Sequence, residues 1–134
     1  MSDAKRIGDE FEIGSLLSRY ARAVDARDWN LYRSVFTHDA TIDYSAVGVT
    51  ATALDDVVNA LADLVADQSA SMHYVTNVES HVDNDIARVD AMWLNAATYH
   101  NDSTVGQHAG RWHHDMVRTS GGWRSHNLRL EVLA

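Results

Sequence analysis

The sequence predicts an α+β fold, with helices gathered in its first half and antiparallel strands in its second. Two observations lead there. Apolar residues recur at helical spacing up to about residue 67, then switch to alternation with a period of two. The alternating runs are separated by "DND", "NDST" and "SGG", which are turn-rich and short enough for hairpins. Helices first and strands afterwards make a sheet packed on helices. The chain has 134 residues without repeats or linkers, so one domain over 1–134 is expected.

Ile13, Leu16, Leu17, Tyr20 and Val24 describe a first amphipathic helix over about 9–26. Asp28 reads as the N-cap of a short second helix holding Trp29, Leu31, Tyr32 and Phe36. "FTHDATIDYSAVG" reads as a turn followed by a strand, with Asp39 in the turn and Ile42 and Tyr44 on one strand face. A third helix is expected over about 54–67. Val57, Val58, Leu61, Leu64 and Val65 form its stripe, and Asp55 and Asp56 suit its positive end. Four strand-like runs follow: "SMHYVTNVESHV", "IARVDAMWLNAATYH", "GQHAGRWHHDMVRT" and "GWRSHNLRLEVLA". The absence of proline agrees with long unbroken strands.

Composition removes several classes of function. The net charge is −8, from 11 Lys and Arg against 19 Asp and Glu, with no basic block to meet a polyanion. Nucleic acid is therefore not an expected partner. The absence of cysteine excludes disulfides and thiolate nucleophiles. No run approaches the ~18 apolar residues of a membrane span, and "MSDAKRIGDEFEIG" lacks the apolar stretch of a secretory signal. A soluble, cytoplasmic protein without a membrane partner is expected. No phosphate loop, dinucleotide fingerprint or nucleophile elbow occurs, so no cofactor is expected either.

The polar residues leave open alternatives. In "RWHHD", His113 and His114 point to opposite strand faces, and no histidine spacing makes ligands converge, so no metal is expected. His73 shares a face with Val75 and Asn77. A histidine so placed is ordinarily a hydrogen-bonded core residue, and becomes a base only if a carboxylate holds its other nitrogen. Asp25 could be that carboxylate, but it falls roughly 110° from the centre of the apolar stripe, beside Ala21. Periodicity alone favours a solvated acid at a helix end. In the last strand Ser125, Asn127, Arg129 and Glu131 share one face, opposite Leu128, Leu130 and Val132. That makes Arg129 solvent-facing, unless the sheet curls so that its polar face lines a cavity.

The segments "LLSRYARAVDARDWNLYRSVFTHDATIDY", "HYVTN" and "GRWHHDMVRTSGGWR" resemble the SnoaL-like domain of the NTF2-like, cystatin-like superfamily over nearly the whole chain. That resemblance implies a cone, in which N-terminal helices pack on a strongly curved, mostly antiparallel sheet enclosing a pocket. Within the superfamily the chain is similar to the cofactor-free lyases scytalone dehydratase, bile-acid 7α-dehydratase and hexachlorocyclohexane dehydrochlorinase. Those enzymes pair an aspartate on the first helix with a histidine on the first long strand, positions matched by Asp25 and His73. Tyr20 matches a tyrosine of the bile-acid enzyme, where the dehydrochlorinase has lysine, and Arg129 matches an arginine on the last strand. The chain departs from these enzymes in being shorter.

The resemblance implies β-elimination on a small cyclic hydrophobic substrate, catalysed by a His–Asp dyad without a cofactor. His73 takes the proton, Asp25 fixes its tautomer, Tyr20 donates to a carbonyl or departing oxygen, and Arg129 stabilises negative charge. Phe36, Tyr44, Met92, Trp93 and Trp112 are candidates for the pocket wall, with plain core packing as the alternative. Asn77 either orients substrate or satisfies the sheet backbone. Two other functions fit the same pattern: a steroid- or polyketide-type isomerase or cyclase, and a non-catalytic small-molecule-binding protein. A homodimer or homotrimer, paired through the exposed sheet face, is expected in each case.

Overall fold

The computed structural model describes residues 2–134. Helices α1 (Asp3–Ala26), α2 (Trp29–Arg33) and α3 (Leu54–Leu64) pack on strands β1 (Phe36–Asp43), β2 (Gln68–Asp83), β3 (Ile86–Tyr99), β4 (Asp102–Thr119) and β5 (Gly122–Val132). The α+β arrangement follows the expectation. The sheet order is β1-β5-β4-β3-β2, with β1 parallel to β5 and every other pair antiparallel. The sheet is not closed, and β1 and β2 are its edges.

Helix α1 begins six residues before its apolar stripe predicts, because Ser2 caps it by accepting from the Lys5 N–H at 3.1 Å. It stops where Arg27 adopts a left-handed conformation (φ 55°) and the Asp28 N–H reaches back to the Ala23 carbonyl. Asp28 then caps α2 through the Leu31 N–H at 3.0 Å, as its position predicts. Helix α3 ends at Leu64, three residues short of the expected end, and Gln68 N–H donates to the Val65 carbonyl as the chain turns into β2.

Three departures from strict alternation come from irregular pairing. Asp39 lies within β1 rather than in a turn, because the register against β5 shifts between Phe36 and Thr41. Ser125 faces the core with Trp123, not outward with Asn127, because a shift between Asp115 and Met116 reverses the phase of β5. Asn77 has φ 53° at the shift between Thr76 and Glu79, which turns it away from the face of His73 and Val75.

The core lies between the helices and the inward sheet face, with Ile13, Leu17, Tyr32, Ile42, Val57, Trp112, Trp123 and Leu128 buried. Full burial of such a side chain contributes about 1.5–3 kcal/mol relative to exposure. Asp9 is buried as well, one turn before Ile13 on the same stripe of α1. It takes two bonds from the Arg118 guanidinium, at 2.8 and 2.9 Å, and one from Trp123 Nε1 at 3.1 Å. Arg118 also covers the Trp123 ring, 4.6 Å from its centroid. This cluster pins the start of α1 to the β4–β5 hairpin.

Two buried groups tie stability to pH. The Arg118 guanidinium holds the Asp9 carboxyl down at about 2, below its ordinary range, so the stability it adds is present above pH ~4 and lost as pH falls toward about 2. Burial holds the His114 imidazole down at about 3, with Nδ1 on Ser125 Oγ at 2.8 Å. The unfolded chain binds a proton there below pH ~6.5 while the folded chain does not, so stability falls as pH drops from ~6.5 toward about 3. In acid unfolding followed by circular dichroism, His114→Gln is expected to flatten the upper window alone. Asp9→Asn is expected to flatten the lower one and to reduce Tm at pH 7 by roughly 5–10 °C.

Candidate active site

The sheet, α1 and α3 border a cavity of about 480 Å³, inside the usual range for a small-molecule site. Val24, Leu61 and Val65 supply apolar wall from the helices, and Trp93, Trp112 and Leu130 supply it from the sheet. The two indole rings lie nearly parallel, 6.3 Å apart and inclined by 22°. Leu64, Asp67 and His108 are exposed lining residues and mark the opening.

His73 projects from β2 into this cavity. Behind it, from the last turn of α1, Asp25 accepts from His73 Nδ1 at 2.6 Å through Oδ1 and from the His73 backbone N–H at 2.8 Å through Oδ2. Ser71 Oγ donates to the same carboxylate at 3.2 Å. Asn95, buried on β3, sends its amide hydrogens to Ser71 Oγ at 3.0 Å and the Met72 carbonyl at 3.1 Å. Because a carboxylate only accepts, the proton on a neutral His73 sits at Nδ1 and the lone pair at Nε2. That is the arrangement of an oriented base.

A second polar chain reaches the cavity from below. The Tyr20 and Tyr44 hydroxyls are hydrogen-bonded, and Tyr32 bonds Tyr44 at 2.7 Å. All three are buried, and burial pushes their phenols above the ordinary range, so they stay protonated. Each hydroxyl has one proton to donate. Running the chain Tyr32→Tyr44→Tyr20 leaves the free proton at Tyr20, and donation to Tyr44 from both sides leaves it at Tyr44; both line the cavity, whereas the order Tyr20→Tyr44→Tyr32 would strand the Tyr32 proton in the core. Trp93 Nε1 is also buried without a hydrogen-bond partner among the described residues.

Tyr20, Tyr44, His73, Trp93 and Trp112 therefore line one cavity, with Asp25 directly behind His73. The remaining expected residues lie elsewhere. Phe36 is buried behind the lining, against the Tyr20 and Tyr32 rings. Met92 faces out, because Ala91 and Trp93 on either side face in. Asn77 is exposed at its irregular position. Arg129 is exposed on the outer sheet face, paired in register with His113 and Asp43, because Leu128 and Leu130 take the inward positions. The sheet curls as the resemblance implies, yet its polar outer face does not become the cavity wall at Arg129.

Ser71, Asn95, His108 and Tyr32 were not singled out from sequence. Period-two alternation carries a signal for three of them: Ser71 shares the phase of His73, Asn95 that of the inward Ala91 and Trp93, and His108 that of the inward Gly110 and Trp112. Among the described residues no group of three or more His, Asp or Glu side chains is arranged to hold a metal ion. No described helix is long and apolar enough to cross a membrane.

Comparison with known proteins bears on this architecture. The profile of the SnoaL-like domain matches residues 5–129. An uncharacterized protein of Mycobacterium tuberculosis is 31% identical over 125 residues, covering 92% of this chain and 85% of its own. A Novosphingobium aromaticivorans structure provisionally named an aromatic ring hydroxylase is 27% identical, with a TM-score of 0.86 over 96% of this chain and 91% of that one. Two further structures share the fold. One, from the same organism and provisionally named a scytalone dehydratase, has a TM-score of 0.89 at 18% identity over 99% of this chain and 89% of its own. The other, a hexachlorocyclohexane dehydrochlorinase from Novosphingobium barchaimii, has 0.85 at 20% over 99% and 92%.

The Asp25 contacts make a physical prediction independent of any reaction. Asp25→Asn keeps one acceptor oxygen for three donors, so unfolding in urea is expected to show a loss of about 1–3 kcal/mol. Long-range ¹H–¹⁵N spectra of the histidine ring are expected to show the Nδ1–H tautomer of His73 in the parent protein and a mixture of tautomers in the variant.

Proposed function

The chain belongs to the SnoaL-like family, and from that premise we propose that it is a cofactor-independent lyase that eliminates water or halide from a small cyclic hydrophobic substrate. The observation supporting this most directly is the 2.6 Å contact between Asp25 Oδ1 and His73 Nδ1 at the wall of an apolar cavity. His73 Nε2 takes a proton from a substrate carbon, the C–H electron pair becomes the new double bond, and the group on the neighbouring carbon leaves. Asp25 holds the tautomer and stabilises the imidazolium that forms. Tyr20, whose hydroxyl lies on the cavity lining, polarises a carbonyl next to the reacting carbon, and Trp93 Nε1 is a second donor within the same wall. Negative charge develops in an apolar enclosure, where such donors act more strongly than in water.

The relatives' names agree with this reading at the level of fold: a scytalone dehydratase and a dehydrochlorinase share it. Assembly as a homodimer or homotrimer in the cytoplasm belongs to the same proposal. Its support is the outer sheet face, where Met72, Tyr74 and Leu94 are about half exposed beside one another.

The test is a screen of cyclic hydroxy ketones and halogenated cyclic substrates for new ultraviolet absorbance, with the mass of the product measured. Loss of water or hydrogen halide is expected; an unchanged mass would instead identify an isomerase. On a turned-over substrate His73→Ala is expected to lower kcat by about 10²–10⁴-fold. Asp25→Asn should lower it by a similar factor, and Tyr20→Phe by roughly ten- to a hundredfold. Turnover unaffected by both dyad variants would end the proposal.

A further inference from the structure

A second histidine faces the same cavity as His73. Strand pairing sets His73 opposite Asn95 on β3, and Asn95 opposite His108 on β4. The three residues therefore form one row across three strands, and all three line the cavity. Neighbouring antiparallel Cα atoms are about 4.5–5.5 Å apart, so the two histidine Cα atoms stand roughly 10 Å apart on one inward face. The Asn95 amide is drawn toward β2 by Ser71 Oγ and the Met72 carbonyl, with its nitrogen 3.4 Å from His73 Nδ1.

The two imidazoles differ in their surroundings. His73 is half-buried and locked by Asp25, which leaves a lone pair in the cavity. His108 is exposed at the opening, in contact with solvent. Of the other polar lining groups, Asn95 and Gln68 are amides with no proton to transfer, Asp67 is a carboxylate that accepts rather than donates, Tyr99 is a phenol, a far weaker acid than an imidazolium, and burial keeps the Tyr20 and Tyr44 protons in place. An imidazole is suited to carry and release a proton near neutral pH. A halide leaves without a proton, whereas a hydroxyl leaves readily only as water.

We propose that His108 is the general acid of this site, protonating a departing hydroxyl while His73 takes the proton from the adjacent carbon, so that the natural substrate is a β-hydroxy carbonyl compound rather than a halide. The proposal rests on the lyase reading. In the step, the C–H bond breaks to His73 Nε2, its electron pair forms the C=C bond, and the C–O bond breaks. The oxygen takes both bonding electrons and the His108 proton, and departs as water. His73 returns its proton to solvent, and His108 regains one from solvent at the opening.

Two probes separate the acid from the base. 5-Nitrobenzisoxazole eliminates to a stable phenolate and needs only a base, whereas 4-hydroxy-4-(4-nitrophenyl)butan-2-one must lose hydroxyl to form its enone. Both reactions are followed by absorbance on the intact protein and on His108→Gln and His73→Ala. His108→Gln is expected to lower kcat/KM for the hydroxy ketone about 10²-fold more than for the benzisoxazole, and His73→Ala to remove both reactions. Equal losses on the two probes, no loss on the hydroxy ketone, or a parent protein that converts only the benzisoxazole would each overturn the role of His108. Activity on both probes that survives His73→Ala, or no activity on either, would overturn the lyase reading itself.

Discussion

The carboxylate of Asp25 is where helix and sheet are joined at the site. It sits in the last turn of α1, at the negative end of the helix dipole, where a carboxylate is disfavoured by about 0.3–1 kcal/mol. Three donors from β2 offset that: the His73 ring, the His73 backbone N–H and the Ser71 hydroxyl. A residue placed against the local electrostatic preference and compensated by partners about 48 positions away is typical of a functional position. The bond to the backbone N–H matters structurally, since β2 is an edge strand and this contact gives one of its inward residues a fixed relation to α1. With that relation set, Val24 and Tyr20 on the same helix face the cavity, and the distance between helix and sheet defines its width.

Two directional networks end at the cavity with opposite character. Along Asn95→Ser71→Asp25, every donor is satisfied by the next acceptor, and the imidazole completes the set, leaving a bare lone pair at Nε2. Among Tyr32, Tyr44 and Tyr20, three hydroxyl protons serve two hydrogen bonds, which leaves one unspent proton at the cavity end. An acceptor and a donor are thus presented to one apolar volume by groups with little rotational freedom of their own. The Trp112 ring adjoins both, with centroids 4.7 Å from Tyr20 and 6.1 Å from His73. Preorganisation of this kind reduces the reordering needed when charge develops.

Periodicity made the helices, the strand order of the second half and the opposite facing of His113 and His114 legible, because each depends only on local spacing. His114 is buried on Ser125, while His113 lies outside between Asp90 at 2.7 Å and Glu131 at 2.9 Å. Asp39, Asn77 and Ser125 were misplaced for one shared reason: a register shift moves a strand's phase without changing its composition. Asp25 could not be assigned from the helical wheel, since its partners lie on another element. The pairing with His73 came from resemblance, and the same resemblance placed Arg129 at the site although the phase of β5 turns it outward.

The outward position of Arg129 changes the electrostatics of the proposed chemistry. The cavity lining holds neither lysine nor arginine, so a developing enolate meets neutral hydroxyl and indole donors and the imidazoles of His73 and His108. Neutral donors stabilise a diffuse charge better than a localised one relative to water, because the desolvation penalty falls as charge spreads. A carbonyl conjugated with a ring delocalises the charge, and the nearly parallel Trp93 and Trp112 rings offer such a system a polarisable wall. Substrate choice and charge stabilisation then have one physical origin. An apolar cavity without a fixed cation favours substrates that disperse their own charge, which an aliphatic carbonyl compound does poorly and an aromatic one does well.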